Sequence, residues 1–516
     1  MSSAPHTTTI VARHVVTDIT VCIIPPKTST CELDPRTWHC IEKDLYQYTS
    51  QHSAWLYVAL ANEDELAAET LVVGDIRAGE RPPSSSGHWN SRPGGIWVLR
   101  KKFAGDIDQA VTEVEVLFGT DAVDPRPQWT LMQSPLQINA QPEIPVARLS
   151  ILHGRAKPRL TADVPLRVRE DSKFKIVQIS DTHMVTGVGV CNDAIDEQGN
   201  DLPESEADPL TVRFIGEILD AEKPDLVILT GDQLHHDITD SQTALFKVVA
   251  PIIERSIPFA AVFGNHDSEG SHALSRTAQM SILQNLPFSL SEPGPEQVDG
   301  VGNFYVQILA PAPSELPVST LYFLDSHSKL PSTTLNNRYD HIKPSQIDWF
   351  KTTFQSLRNA GNLSFVIIHI PLPEFKDRHL CIRSGQRREP TEGPSFNSHF
   401  YDALVDYGIS AVGCGHDHVN DFAALLPQQT QHDGKTPQSP WLCYGGASGF
   451  GGYGSYAGKR FYRRMRVWEL NASAGSLKTW MRLEYAIGRT DELMLMENGV
   501  VADPPVRKND RSCIVT

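Results

Sequence analysis

Three stretches in the first third of the chain set apolar and aromatic residues against turn-rich flanks: Trp55-Leu56-Tyr57-Val58-Ala59, Gly95-Ile96-Trp97-Val98-Leu99 and Val111-Thr112-Glu113-Val114-Glu115-Val116. Alternation with a period of two marks half-buried strands, and punctuation such as Arg81-Pro82-Pro83-Ser84-Ser85-Ser86-Gly87 separates them. Residues 1–160 are therefore expected to form a mostly β N-terminal domain. From Gly154 to Lys173 the composition turns polar and basic, with Pro158 and Pro165, and residues 161–173 read as a linker. The texture then changes to short, nearly continuous apolar runs: Phe174 to Ile179, Leu226 to Leu229, Phe259 to Phe263, Leu321 to Leu324, Phe365 to Ile368, Ile409 to Cys414 and Trp441 to Tyr444. Strands buried on both faces have this form. Helical spacing appears between them, in Val212, Phe214, Ile215, Ile218 and Leu219 before Pro224, and in Ile347, Phe350, Phe354 and Leu357 after Pro344. Residues 174–485 are thus expected to be an α/β domain, and 486–516 a C-terminal tail.

At 516 residues the chain exceeds what one core usually serves, which fits two domains. Its formal net charge of −16, with no basic run, disfavours nucleic acid as a partner. Residues 1–27 hold no apolar core behind a basic start, and nowhere do eighteen apolar residues run together, so neither a signal peptide nor a spanning helix is expected. Eight cysteines are too sparse for a disulfide scaffold and show no CxxC spacing; a reducing, cytoplasmic setting is the expectation, with the sequons at Asn362 and Asn471 idle. The last four residues, Cys513-Ile514-Val515-Thr516, have the form of a prenylation box behind Arg507, Lys508 and Arg511, although Thr is an atypical last residue and Asp503 and Asp510 dilute the basic patch. Peripheral membrane contact is expected only if Cys513 is prenylated.

Chemistry gathers just beyond the apolar runs. Asp181-Thr182-His183, Gly231-Asp232, Gly264-Asn265-His266-Asp267, Ile368-His369-Ile370-Pro371 and Gly415-His416-Asp417-His418 each follow one, where an open α/β sheet places its ligands. Alone, each has a plain explanation: D-x-H is a common turn or cap tripeptide, G-D a turn, and His369 a core histidine. Together, in this order, they specify a dinuclear metal site, and oxygen plus imidazole donors suit Mn, Fe or Zn.

These five motifs resemble those of the calcineurin-like metallophosphoesterase superfamily over roughly Phe174 to Leu483. The longer strings His369 to Phe375, Gly415 to Phe422 and Cys443-Tyr444-Gly445-Gly446 are similar to its fungal and plant purple-acid-phosphatase-like branch. The resemblance implies an α/β/β/α sandwich behind the β N-terminal domain, with two divalent or mixed-valence ions. One would be held by Asp181, His183 and His418, the other by Asn265, His369 and His416, with Asp232 bridging. It further implies His266 as the catalytic group on the phosphoryl oxygens or leaving group, Asn265 in substrate binding, and hydrolysis of a phosphate monoester, on a phosphoprotein or small metabolite, by a metal-bridging hydroxide. A phosphodiesterase, or a binding protein with a vestigial site, are the alternatives.

Purple acid phosphatases carry a tyrosine three residues after the bridging aspartate, and here that position is His235. The Asp-Arg pair of the serine/threonine phosphatases is also missing from Gly231-Asp232-Gln233-Leu234-His235-His236. His235, His236 and Asp237 could reach substrate, orient His266 or form a solvated turn. The glycine-rich segment Gly445 to Gly458 reads either as an anion nest or as a tight passage between strands. Arg383, Arg387 and Arg388 are candidates for a second phosphate or an acidic flank, with a solvated loop as the alternative.

Overall fold

The computed structural model describes residues 14–24, 31–49, 52–82, 87–156, 165–202, 206–331, 339–357, 363–427 and 438–502. The chain divides into two compact units, Met1–Pro158 and Arg159–Thr516. The prenylation box and Asn362 lie outside the described residues.

Among the described residues the first unit is built from three three-stranded antiparallel sheets. They are β1 (His14–Ile24), β2 (Trp38–Asp44) and β3 (Ser53–Asn62); β4 (Leu71–Ala78), β5 (Trp89–Arg92) and β6 (Ile96–Lys102); and β7 (Val111–Phe118), β8 (Trp129–Leu131) and β9 (Ala147–His153). Alternate positions face one apolar core, with Ile19 and Val21 of β1, Leu56 and Val58 of β3, Ile96 and Val98 of β6, and Val114 and Val116 of β7. A disulfide joins Cys22 to Cys31.

The second unit stacks two seven-stranded sheets. The first has β12 (Phe259–Val262), β11 (Leu226–Thr230) and β10 (Lys173–Ile179) parallel, followed by the antiparallel run β22 (Arg464–Asn471), β23 (Ser476–Leu483), β24 (Thr490–Glu497) and β25 (Val500–Val501). The second runs β13 (Phe304–Leu309), β14 (Pro317–Phe323), β15 (Leu363–Ile367), β17 (Ala411–Cys414), β19 (Trp441–Tyr444), β18 (Ala423–Leu425) and β16 (Cys381–Ser384), with β14, β15, β17 and β19 parallel. A small hairpin, β20 (Ser455–Tyr456) and β21 (Lys459–Arg460), stands apart.

Ile176, Ile228 and Val262 of the first sheet meet Phe323, Phe365, Ile367 and Trp441 of the second in a shared core. Helices α4 (Pro344–Ser356) and α5 (Phe400–Asp406) cover the outer face of the second sheet through Phe350 and Leu404, against Tyr322, Val366 and Val412. Helices α1 (Ala207–Glu222) and α2 (Ser241–Ile253) bury Phe214, Ile218 and Leu245, and a shorter α3 is formed by Arg276–Gln284. This is the calcineurin-like α/β/β/α sandwich. Pro344 opens α4 at its first turn, and α1 ends where Lys223 turns left-handed before Pro224.

Two of the expected boundary segments carry structure of their own. Within 161–173, Leu166 and Val168 are buried, and the chain bonds to edge strand β13 through Leu309 N to Leu166 O (2.8 Å) and Val168 N to Leu309 O (3.0 Å). Their i, i+2 spacing lets a polar stretch cover a sheet edge. Residues 486–516 are not wholly a tail, because Thr490–Glu497 is strand β24, with Leu493, Leu495 and Met496 buried in the inter-sheet core. Among the described residues no helix is long and apolar enough to cross a membrane.

Candidate metal centre

The five polar clusters sit at the carboxyl ends of β10, β11, β12, β15 and β17, so both sheets deliver side chains to one place. Asp181, His183 and His418 form one buried group of donor atoms, and Asp232, His369 and His416 a second; within each, the atoms lie within 4.8 Å of one another. Asp232 Oδ2 is 3.2 Å from His369 Nε2 and 3.9 Å from His183 Nε2, within reach of both groups. Asn265 Oδ1 lies 3.2 Å from His369 Nε2. Asp181, His183, Asp232 and His416 all have positive φ (47–79°). The left-handed region suits the sharp turn that aims a side chain back over a strand end, and Asp and His tolerate it better than most residues.

The donor chemistry fits bound cations. His418 Nδ1 donates to Tyr453 O (2.9 Å), which leaves Nε2 as a bare lone pair, and that lone pair faces His183 Nε2 at 3.1 Å. A cation between such nitrogens relieves their repulsion. Burial, with His418 next in effect, holds His183 well below the usual imidazole range, and burial also takes His418 down to about 3. These rings are neutral, as ligation requires. Burial pushes the Asp181 carboxyl up to about 7, against the pull of His369. In the second group, burial of His369 is outweighed by the Asp232 carboxylate, which lifts the imidazole to about 9, and Asp232 is itself held well below its usual range.

Asp267 does a different job. Its Oδ2 accepts Asp232 N (3.0 Å) and Gly264 N (2.6 Å), and its Oδ1 accepts Leu234 N (2.9 Å), so one carboxylate latches two strand-end turns together. Hydrogen bonds to a charged acceptor contribute roughly 1.5–3 kcal/mol each, enough to hold the turns in register.

A cavity of about 260 Å³ opens over the centre, lined on its inner wall by His183, Asp232, His416 and His418, and on its rim by His235, His236 and His266. His266 lies 5.4 Å from His183, ring centre to ring centre, and its Nδ1 sits 2.5 Å from Glu269 Oε2. That contact orients the imidazole and turns Nε2 away from the carboxylate. His235 is half-buried and 5.7 Å from His183; burial, with His236 next, lowers it to about 4. Asp237 turns back through its backbone N toward His235 Nδ1.

The match to the family model described as calcineurin-like phosphoesterase spans residues 174–420. The chain is 33% identical over 350 residues to the Arabidopsis thaliana protein named probable inactive purple acid phosphatase 14, covering 62% of this chain and 82% of that one. It belongs to the calcineurin-like phosphoesterase family. It is also 37% identical over 390 residues to phosphatase DCR2 of Saccharomyces cerevisiae, covering 72% of this chain but 64% of that protein's length. A third relative, probable inactive purple acid phosphatase 28 of Arabidopsis thaliana, is 33% identical over 383 residues, covering 68% and 90%. The calcineurin-like phosphoesterase family uses divalent metals, which agrees with the two donor groups.

Over residues 445–449 the glycine-rich segment is a tight passage, its amides spent on the chain itself: Gly445 N on Cys414 O, Ala447 N on His418 O, Ser448 N on Ser180 O and Gly449 N on Asp181 O, while Gly451 and Gly452 line the cavity. A Cβ on Gly452 would stand 2.6 Å from His418 Cε1 and 2.8 Å from His183 Cδ2. Gly452→Ala is therefore expected to lower metal affinity by at least about tenfold while the fold persists, checked by elemental analysis beside far-ultraviolet circular dichroism.

The arginine candidates are corrected, because Arg383, Arg387 and Arg388 do not line the cavity. Arg387 Nη2 donates to Phe375 O (2.7 Å), and Arg388 pairs with buried Asp421 (2.5 Å), whose charge needs a partner more than the solvent does. Sequence reading also missed Asn192, Tyr339 and Glu392 on the cavity wall, and Glu269. Glu269 carried a signal, its place three residues after His266. The other three sit in loops with none.

Proposed function

We propose that this protein is a dinuclear-metal phosphatase acting on phosphate monoesters. The observation that carries the reading is the convergence of two buried donor groups, sharing reach to Asp232, beneath one cavity with a carboxylate-oriented His266 at its rim. Asp181, His183 and His418 would hold one ion, and Asn265, His369 and His416 the other, with Asp232 between them. Two bound divalent ions there would supply Lewis acidity, neutralising phosphoryl charge and making water more acidic.

The chain's own residues do the rest. His266, its Nδ1 tied to Glu269, presents Nε2 to the departing oxygen or the phosphoryl oxygens. His235 and His236 line the approach, and Asn265, whose buried Nδ2 has no hydrogen-bond partner among the described residues, would donate it to the phosphoryl group. The chain spans just under two thirds of the yeast phosphatase, and two plant relatives are named inactive, so activity is to be measured rather than carried over.

The test is metal content per chain together with hydrolysis of an aryl monoester and of the matching bis-aryl diester. Two metals and monoester preference are expected. Diester preference supports the phosphodiesterase alternative, and metal-free, inert protein supports the binding-protein alternative.

Colour gives an independent check. Tyr444 Oη donates to Asp417, Tyr453 Oη to Glu389 (2.9 Å) and Tyr339 Oη to Glu392 (3.4 Å), so the phenols of these three nearby tyrosines are engaged with carboxylates outside the donor groups. Iron-loaded protein is expected to lack a visible tyrosinate charge-transfer band. A violet band lost on Tyr453→Phe or Tyr444→Phe would overturn the ligand set.

A further inference from the structure

The string Gly415 to Phe422 contains polar residues that the two donor groups do not use: Asp417, Asn420 and Asp421. All three are buried and bonded to one segment, residues 386–392. Asp421 Oδ1 accepts Gln386 N (2.8 Å). Asn420 Oδ1 accepts Arg388 N (2.8 Å) and Glu389 N (3.2 Å), and Asp417 Oδ1 accepts Glu392 N (3.2 Å). The segment is thus strapped across the turn that carries His416 and His418.

One side chain of the strap reaches back. Buried Glu389 accepts Val419 N on Oε1 (2.9 Å) and the Tyr453 hydroxyl on Oε2 (2.9 Å). Tyr453 Oη in turn accepts His418 N (3.1 Å). The Tyr453 ring stacks on the His418 imidazole, 3.8 Å between centres and 7° between planes, while Tyr453 O accepts from His418 Nδ1 (2.9 Å). The stack fixes the plane of the imidazole, and the Nδ1 bond fixes its rotation and tautomer, so Nε2 is aimed at His183. The second group is oriented by other means: His369 Nδ1 donates to Thr230 O (2.9 Å), and the Tyr339 ring meets His416 edge-on at 4.6 Å.

We propose that Tyr453, held by Glu389, is a positioning residue for His418 and sets the metal affinity of the Asp181–His183–His418 group without setting that of the other. The inference rests on the dinuclear reading above. A phenylalanine would keep the stack and the carbonyl but release both hydroxyl bonds, leaving the ring free to slide and Glu389 short of one donor.

The experiment is titration of metal-stripped full-length protein with Co²⁺, followed by its visible ligand-field bands and by calorimetry. Wild type is expected to show two binding events. Tyr453→Phe should weaken one by about 10–100-fold and leave the other unchanged. Glu389→Gln keeps the aromatic ring and removes the doubly accepting carboxylate, so it should weaken the same event. Two events that remain unaltered in both variants overturn the inference and leave the phosphatase reading standing. Two events that weaken together, with a lower melting temperature, also overturn it, since the residue would then serve the fold at large. Wild-type protein that takes up no metal overturns the dinuclear reading, and the inference falls with it.

Discussion

Asp232→Asn is expected to empty both metal positions and to abolish hydrolysis. Asp232 is the carboxylate whose Oδ2 lies within 4 Å of an imidazole from each group, so its charge serves both. Losing the stabilisation that two dications give to transition-state charge, of the order of 4 kcal/mol, corresponds to about a thousandfold or more in turnover. The fold should survive, because an asparagine oxygen can still accept His266 N, which bonds Asp232 Oδ1 at 2.8 Å. Elemental analysis and monoester turnover, run on the same preparation, check both halves. Full metal content in the variant would remove Asp232 from the bridging position.

His266→Ala separates chemistry from metal binding. His266 belongs to neither donor group and its ring is bonded to Glu269, so both metals should stay while turnover falls by about 10²–10⁴-fold. If the imidazole protonates the leaving group, the loss should be larger for an alkyl phosphate than for an aryl phosphate, whose phenolate departs unaided. An equal loss on both would assign His266 to the phosphoryl oxygens instead. Loss of the metals would end its assignment to chemistry.

Much of the centre was legible because turn chemistry and ligand chemistry coincide here. A strand end needs a residue that bears a left-handed backbone, and Asp181, His183, Asp232 and His416 do so while offering donor atoms. The plain reading of D-x-H as a turn holds, and it is compatible with the functional one. What escaped the sequence escaped for physical reasons. Strand β22 buries Arg464 and Arg466, whose guanidinium groups are satisfied by Asp421, by Tyr444 O (2.7 Å) and by Asp421 O (2.7 Å), so its buried positions carry a polar signature. Helix α2 is buried nearly all round and carries Pro251, which leaves no polar stripe to reveal a helical period. Glu389 stood inside a run that looked like solvated charge, and only the fold shows which backbone amide and phenol it accepts from.

Each donor group draws on both sheets. Asp181 and His183 leave β10 of the first and His418 leaves β17 of the second; Asp232 leaves β11, while His369 and His416 leave β15 and β17. An ion bound by either group is therefore a rivet between two layers that also meet through a shared apolar core and through cross-sheet hydrogen bonds such as Gln178 Nε2 to Cys414 O (3.0 Å) and Arg466 Nε to Tyr444 O (2.7 Å), and it binds only while the layers are in register. Ligand linkage makes that rivet worth about 4 kcal/mol when free metal stands a thousandfold above its dissociation constant. Stripping the ions would thus do more than silence a reaction. It would unfasten this edge of the sandwich, and a protease or an unfolding force would find its first purchase there.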